Sequence, residues 1–440
     1  MKKYLSFLMM VCLLAFSTCQ EHWKQPAAKK YSSTVATTWI NLQQKLTKTT
    51  AGYSPGVTGR AFAYTGLSLY ESIVPGMPGY RSILPFVGGP TTSVPANCQS
   101  YYWPASANAA MASMIRNLFE STSDANKVSI DSLEDAFNTQ FQGEAHASVL
   151  QNSADFGRSV AEAIFEWSKT DGSHEAYKPQ PNTYVPPVGP GLWIPTPPAF
   201  LPAASPYVGN DRSFTPGIAA QTQPTTFPLP PYSEEPGSDF YNMVNYSYTL
   251  SQNLTPADII TAKTWGDIPG NYNGTAHFTN IATQLIVMKK LKLDEAALVY
   301  AKHGIALRDA IISVFKTKYH YNVIRPISYI RNVMGFTTWN TVIPTPPHPE
   351  YNSAHAVIGK ASSVVLESFF GKKCAFVDRT HEALYGARSF NSLAESAEDG
   401  AWSRVLAGIH YNKTAVSGLV QGQAVGDMVN TLPFKVGHDH

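Results

Sequence analysis

The segment Pro344–His355, PTPPHPEYNSAH, stands directly before the apolar run AVIGKASSVVLESFF and shapes the C-terminal half of the chain. Four prolines within residues 344–349 exclude the interior of a helix, because proline lacks a backbone N–H and clashes with the preceding turn. Asn352 and Ser353 are typical N-cap residues, so a helix is predicted to begin there. Its free N–H groups, the Ser353 hydroxyl and the His355 imidazole would then share one small space. That arrangement is typical of an anion site.

Outward from this segment, apolar residues recur mostly at helical spacing, and alternating strand patterns are nearly absent. The pattern predicts an all-α protein built of helical bundles. The predicted helices cover residues 31–50, 56–73, 105–119, 124–141, 144–169, 256–265, 275–290, 294–316, 353–370, 393–410 and 414–431.

Residues 179–237 interrupt the helices with 16 of the chain's 32 prolines. A stretch of this composition cannot be helix, but it carries Trp193, Phe200, Tyr207, Phe214 and Phe227. Flexible linkers rarely hold so many large apolar side chains. We therefore predict a long ordered loop lying over the helical core, within a single catalytic domain over residues 31–440.

The N-terminus resembles an export signal over residues 1–19, followed by a tether over residues 20–30. Lys2 and Lys3 precede an apolar run that is too short to span a bilayer. The run ends near Cys19 in FSTC, similar to the relaxed lipobox of bacterial lipoproteins. We expect a lipoprotein of the outer membrane or cell surface, with a periplasmic or secreted protein as the alternative. Cys98 and Cys374 then remain, and a disulfide between them is permitted but not required.

Composition indicates neither a nucleic-acid partner nor an acidic one, since the net charge is only +2. Three clusters in the C-terminal half carry chemistry. Their members are Lys318 with Arg325, Ser353 with His355, and Arg404 with His410. Together they offer cations, a hydroxyl and two imidazoles, which suits a multiply charged oxyanion. One His would bond the central atom, and the other would move protons at the opposite face.

Each cluster taken alone has a simpler interpretation. Lys and Arg seven residues apart are usually solvated, and a lone His is more often structural than catalytic. On one predicted helix, Arg404 and His410 would lie about 120° apart around the axis. Asp309 is interpreted as a buried structural residue paired with a site arginine. His277, His303 and His320 show no ligand spacing and are assigned no role.

The three spacings together resemble the signature shared by type-2 phosphatidic acid phosphatases and vanadium-dependent haloperoxidases. The signature reads Lys-x6-Arg-Pro, then Ser-x-His, then Ser-Arg-x5-His. The segments GLWIPTPPAF (191–200), 265–278 and KYHYNVIRPISYI (318–330) resemble the bacterial haloperoxidase branch, and the similarity covers most of the chain after about residue 30.

The resemblance implies vanadate as the cofactor, with phosphate as an alternative occupant. His410 would be the ligand of vanadium, and His355 the acid–base residue. Lys318, Arg325 and Arg404 would neutralise the oxygens, Ser353 and the Ala354 N–H would complete the cradle, and Lys318 would also help to polarise hydrogen peroxide. The implied substrates are hydrogen peroxide and iodide or bromide, with a small organic molecule as acceptor.

The sequence departs from the family pattern at two positions. Ala354 replaces the usual Gly, which is tolerable if the backbone there is helical rather than left-handed. Thr414 replaces an Asp that often lies four residues after the ligand His and helps to position it, so His410 needs another partner. Two further positions bear on halide choice: His348 stands where chloroperoxidases carry Phe, and Phe315 where they carry Trp. The resemblance thus implies iodide or bromide oxidation with little activity on chloride.

Two other functions stay open at this point. An acid phosphatase of the same fold would carry a phosphoryl group on His410, with His355 protonating the leaving group. A helical surface lipoprotein with a decayed site is the alternative from a different class, although the retained Lys, Arg and His residues argue against it.

Overall fold

The computed structural model describes residues 26–92, 99–181, 183–267 and 271–437. The predicted export signal, Cys19 and Cys98 lie outside these ranges, so the lipid anchor and the disulfide stay predictions. Cys374 is buried, and none of the described residues forms a disulfide with it. None of the described helices is long and apolar enough to cross a membrane.

The described chain is built almost entirely of helices, as predicted for an all-α fold. The first half contains α1 (Thr34–Thr49), α2 (Pro55–Ile73), α3 (Trp103–Leu118), α4 (Asp124–Phe141), α5 (Ala147–Ser168), α6 (Ile218–Gln221) and α7 (Asp239–Gln252). The second half contains α8 (Pro256–Thr264), α9 (Gly274–Met288), α10 (Leu293–Tyr321), α11 (Pro326–Asn332), α12 (Ala354–Phe370), α13 (Glu382–Tyr385), α14 (Leu393–Leu406) and α15 (Asn412–Asn430). An antiparallel pair, β1 (Phe376–Asp378) and β2 (Arg388–Phe390), precedes α14.

Two predicted helix ends are wrong, and the first is that of the helix expected over residues 294–316, which continues to Tyr321. The helix expected over residues 393–410 ends at Leu406, because Gly408 adopts a left-handed conformation with φ +75°. The Gly408 N–H donates to Val405 O within this turn, 2.9 Å away. His410 therefore lies on the connection between α14 and α15, and its angle to Arg404 around a shared helix axis has no meaning.

Helices α2 and α10 pack along each other at the centre of the molecule, and α12 packs against α10, α14 and α15. Small residues allow the closest approaches. A Cβ added at Gly66 of α2 would lie 2.5 Å from Tyr300 O, and one added at Gly426 of α15 would lie 2.6 Å from Val364 Cβ. The long helix α10 thus connects the N-terminal helices to the C-terminal bundle and carries Lys318 near its end.

The proline-rich segment is anchored to this core at particular points. Trp193 and Phe214 are fully buried, whereas Phe200 and Tyr207 are exposed. The carboxylate of Asp309 on α10 accepts hydrogen bonds from the backbone N–H groups of Phe214 and Thr215, both at 2.8 Å. The expectation that Asp309 pairs with a site arginine is therefore wrong, because its carboxylate instead fixes the loop to the core.

Candidate functional site

Lys318 reaches the segment Pro344–His355 from the last turn of α10. Its Nζ donates to Pro349 O at 3.0 Å and to Glu350 O at 2.9 Å. The side chain is fully buried. Burial, with Arg325 nearby, lowers the pKa of Lys318 well below its usual range. An anion beside this amine would favour its charged form.

Arg325 is the N-cap residue of α11, and its guanidinium connects the same segment to His410. Nε donates to His348 O at 2.9 Å, and Nη1 donates to Ile409 O at 2.8 Å. Nη1 also lies 3.2 Å from His410 Nε2. Burial lowers the pKa of Arg325 to about 10, so the guanidinium stays charged at neutral pH.

Ser353 is the N-cap residue of α12, with φ −65° and ψ 115°, and Ala354 begins the helix. Ala354 is not among the residues with positive φ. The backbone there is not left-handed, so an Ala is tolerated in place of the usual Gly. The Ser353 hydroxyl makes no capping hydrogen bond, and it is buried without a partner among the described residues. A buried donor of this kind indicates an acceptor that the protein itself does not supply.

Arg404 projects from α14 and is also fully buried. Its Nη1 donates to Trp265 O, while its Nε is buried and has no hydrogen-bond partner in the part of the chain that the structure describes. Burial lowers the pKa of Arg404 to about 10. The positive charges of Arg404, Arg325 and Lys318 all act on His410, whose pKa falls well below its usual range through burial and these neighbours. His410 is therefore a neutral imidazole.

Glu350 fixes the orientation of that imidazole. Its Oε1 accepts from His410 Nδ1 at 2.6 Å, from the Tyr411 N–H at 3.1 Å and from Thr414 Oγ1 at 2.6 Å. Burial raises the pKa of Glu350 to about 7, against the opposing effect of Arg325. The sequence did not indicate a role for Glu350, although it is the only acid in PTPPHPEYNSAH.

A second carboxylate serves His355. Asp267 Oδ2 accepts from His355 Nε2 at 2.8 Å. Its other oxygen accepts from His277 Nδ1 at 3.0 Å and from His381 Nε2 at 3.2 Å. Burial alone would raise the pKa of Asp267, but His277 and these hydrogen bonds hold it well below the usual range. Burial and the charge of Arg404 lower the pKa of His355 to about 4, so this ring is neutral at pH 7.

His277 links this group to the β-hairpin, since its Nε2 donates to Asp378 Oδ2 at 2.8 Å. Burial would lower the pKa of His277, but Asp267 and Asp378 raise it to about 10. His277, which was assigned no role from the sequence, thus lies within the hydrogen-bonded group around Asp267. Ligand atoms of Asp267, His277 and His381 lie within 4.8 Å of one another, close enough to hold a metal ion. The same atoms are already joined by the hydrogen bonds described above.

His348 and Phe315 lie side by side at this site, with ring centroids 5.3 Å apart. Arg325 Nη2 donates to His348 Nδ1 at 3.0 Å. Burial, with Lys318 and Arg325, lowers the pKa of His348 well below its usual range. The ring is thus a neutral, polar neighbour of the cationic groups.

The residues present fit vanadate on two observations. Ser353 Oγ and Arg404 Nε are buried donors for which the described residues supply no acceptor, and an oxyanion supplies acceptors. In addition, three basic residues act on His410, whereas two carboxylates oppose them, Glu350 near Lys318 and Arg325 and Asp267 near Arg404, which leaves one basic group in excess. Phosphate satisfies the same donors.

The chain is similar to one family model and to several solved structures. Residues 298–435 match the family model "VCPO second helical-bundle domain". No curated protein matches the sequence. The structure described as the first bacterial vanadium-dependent iodoperoxidase is 28% identical, with a TM-score of 0.83, covering 92% of this chain and 98% of that chain.

Two structures of bacterial vanadium-dependent chloroperoxidase share the fold. The apo form is 14% identical with a TM-score of 0.63, covering 86% of this chain and 94% of that chain. The holo form is 15% identical with a TM-score of 0.65, covering 89% and 94%. The solved structures are of bacterial vanadium-dependent haloperoxidases, and this chain shares their fold and resembles the family model over its C-terminal helical bundle.

Proposed function

We propose that the protein is a vanadium-dependent haloperoxidase that oxidises iodide, and also bromide, with hydrogen peroxide to hypohalous acid. One observation carries the proposal: Arg325 Nη1 lies 3.2 Å from Nε2 of His410, whose Nδ1 is held by Glu350 Oε1 at 2.6 Å, and the charges of Lys318 and Arg404 also act on this ring. The unpartnered donors of Ser353 and Arg404 support it. The 28% identity to an iodoperoxidase supports iodide as a substrate.

Each residue of the site has a distinct task in this proposal. When bound, vanadate supplies a Lewis acid that makes hydrogen peroxide electrophilic toward halide. His410 holds the cofactor through Nε2, the nitrogen that Glu350 leaves free. Lys318, Arg325 and Arg404 neutralise its oxygens, with Ser353 Oγ and the Ala354 N–H as further donors. The charge of Lys318 also favours negative charge on peroxide oxygen.

His355 moves the proton. Its Nε2–H donates to Asp267, so Nδ1 carries the lone pair that can accept a proton. Because its pKa is lowered to about 4, His355 is available as a base at neutral pH. The proton accepted from hydrogen peroxide can then be returned to the oxygen that leaves as hypohalous acid, and the other peroxide oxygen takes up a proton from solvent to become water, so that H₂O₂, halide and H⁺ give hypohalous acid and water.

The halide preference rests on His348 and Phe315. Chloride is the hardest of the three halides to oxidise, and His348 places a polar ring where chloroperoxidases carry Phe. Steady-state rates with each halide at matched peroxide are expected to rank iodide first, bromide second and chloride near background. Chloride turnover comparable to iodide turnover contradicts this use of His348 and Phe315.

The test of the proposed activity compares two reactions on one preparation. Iodide oxidation is measured with and without added orthovanadate, beside hydrolysis of p-nitrophenyl phosphate. We expect peroxide-dependent iodide oxidation that requires orthovanadate, and phosphatase activity far below it. Phosphate ester hydrolysis without vanadate-dependent iodide oxidation would instead identify an acid phosphatase.

We also propose export with lipidation at Cys19. Lys2, Lys3 and the following apolar run support this proposal. Palmitate labelling of the full-length protein in a bacterial host is expected to be lost in Cys19→Ser. Equal labelling of both proteins would exclude Cys19 as the anchor.

A further inference from the structure

We propose that Glu350 is the positioning residue for His410, and that it replaces from another part of the chain the Asp that is absent at position 414. The proposal rests on the function proposed above, in which His410 holds vanadate. Glu350 lies 60 residues before His410, so the two meet only in the folded protein. Thr414 joins them as a third member.

The hydrogen bonds determine which nitrogen of His410 carries the proton. Arg325 Nη1 lies 3.2 Å from Nε2 and can only donate, so Nε2 must be the acceptor. The proton of the neutral ring therefore lies on Nδ1, which donates to Glu350 Oε1 at 2.6 Å. Glu350 thus holds His410 in the tautomer whose lone pair lies on Nε2, where a ligand bond would replace the hydrogen bond from Arg325.

Glu350 is itself held from several sides. Its Oε1 also accepts from the Tyr411 N–H and from Thr414 Oγ1, and its backbone oxygen accepts from Lys318 Nζ. The carboxylate has no solvent exposure. Its position is therefore fixed by the same segments that carry His410 and the cations.

The structure also explains why position 414 is not acidic. Thr414 Oγ1 lies 2.6 Å from Glu350 Oε1 and donates to it. An Asp at 414 would place a second carboxylate against the first, and like charges this close disfavour each other. One carboxylate in this place is sufficient, and here Glu350 supplies it.

The test exchanges the two sources of the carboxylate. Orthovanadate affinity is measured by equilibrium dialysis for the wild type, Glu350→Ala, Thr414→Asp and the double variant. Glu350→Ala is expected to weaken binding about 10- to 100-fold, the usual loss when the partner of a ligating His is removed. Thr414→Asp alone is expected to weaken binding, whereas the double variant regains most of the affinity lost in Glu350→Ala.

Glu398→Ala, an exposed Glu on α14, is the matched control and is expected to bind as the wild type. If Glu350→Ala does not fold, Glu350→Gln is used, since its amide oxygen can still accept from Nδ1–H; it is expected to bind more weakly than the wild type. Wild-type affinity in folded Glu350→Ala or Glu350→Gln, or a double variant no tighter than Glu350→Ala, overturns the proposal. A wild type that binds no orthovanadate overturns the proposed function itself.

Discussion

The two histidines of the site differ in the carboxylate that each one faces. Glu350 accepts a hydrogen bond from Nδ1 of His410, and Asp267 accepts one from Nε2 of His355. In each ring one nitrogen is fixed by a buried acid while the other remains available. His410 faces the guanidinium of Arg325, whereas His355 joins the hydrogen-bonded group around Asp267. These surroundings support vanadate binding by His410 and proton transfer by His355.

Replacing each histidine with alanine is expected to have different consequences. His410→Ala removes the bond to vanadium, so orthovanadate affinity is expected to collapse. His355→Ala is expected to retain orthovanadate but to slow iodide oxidation by roughly 10²- to 10⁴-fold, the usual contribution of general acid–base catalysis. Equilibrium dialysis and steady-state kinetics on the same preparations measure both effects.

His320→Ala serves as the control for both variants, because His320 is exposed at the end of α10. It is expected to match the wild type in orthovanadate affinity and in rate. Equal loss of orthovanadate from His355→Ala and His410→Ala would show that the two roles are assigned wrongly.

The sequence predicted the cationic residues and both histidines through motif spacing, but it did not predict their acidic partners. Asp267 lies 88 residues before His355, and Glu350 lies 60 residues before His410. No local pattern reports a pairing across such distances, because it depends on how α9, α12 and the β-hairpin pack. The Thr at position 414 was the one signal that a partner was missing.

At the scale of the elements, apolar periodicity predicted the long helices well and the short or polar ones poorly. The predicted span 124–141 coincides with Asp124–Phe141. Helices Asp239–Gln252 and Pro326–Asn332 were missed, the first because polar residues interrupt its apolar pattern, the second because it has only seven residues. The early end of α14 depends on the backbone conformation of Gly408, which periodicity does not report.

The pairing of α12 with α15 depends on Gly418, Gly422 and Gly426, spaced four residues apart along one face of α15. A Cβ at Gly422 would collide with the backbone oxygen of Val357 and lie 2.8 Å from Lys360 Cβ. This contact fixes α15 against the helix that begins beside Ser353 and His355. The geometry of this helix contact therefore affects the positions of Ser353 and His355 as well as the stability of the protein.

Gly422→Ala is accordingly expected to destabilise the protein. Overpacking costs about 1–3 kcal/mol, which exceeds the gain of roughly 0.5–1 kcal/mol from replacing Gly inside a helix. Denaturant unfolding measures the net loss. Gly143→Ala is the control, because its nearest heavy-atom neighbour would be 3.7 Å away. A Gly422→Ala variant as stable as the wild type would show that the two helices can separate without cost.

At the scale of the whole molecule, several buried histidines make stability depend on pH. His303 on α10 is fully buried beside Ser362, with Nε2 and Oγ 2.8 Å apart, and burial lowers its pKa to about 3. The unfolded chain takes up a proton on this residue near pH 6.5. Between pH 6.5 and about 3 the unfolded state therefore binds more protons, and stability falls as pH falls.

His303→Gln is expected to reduce this acid sensitivity. One fewer proton taken up on unfolding lowers the slope of unfolding free energy against pH by about 1.4 kcal/mol per pH unit below pH 6. Denaturant unfolding of both proteins at pH 7, 6 and 5 measures the slope. His355 has a lowered pKa and acts in the same direction, so part of the dependence is expected to remain. An unchanged slope would show that His303 is protonated in the folded protein.

The most direct measurement of the central claim is a crystal structure of the protein soaked with orthovanadate, with vanadium located by its anomalous signal. We predict vanadium within bonding distance of His410 Nε2, with its oxygens hydrogen-bonded to Lys318, Arg325 and Arg404. Absence of vanadium at His410 under saturating orthovanadate, or binding at Asp267, His277 and His381 instead, would contradict the account.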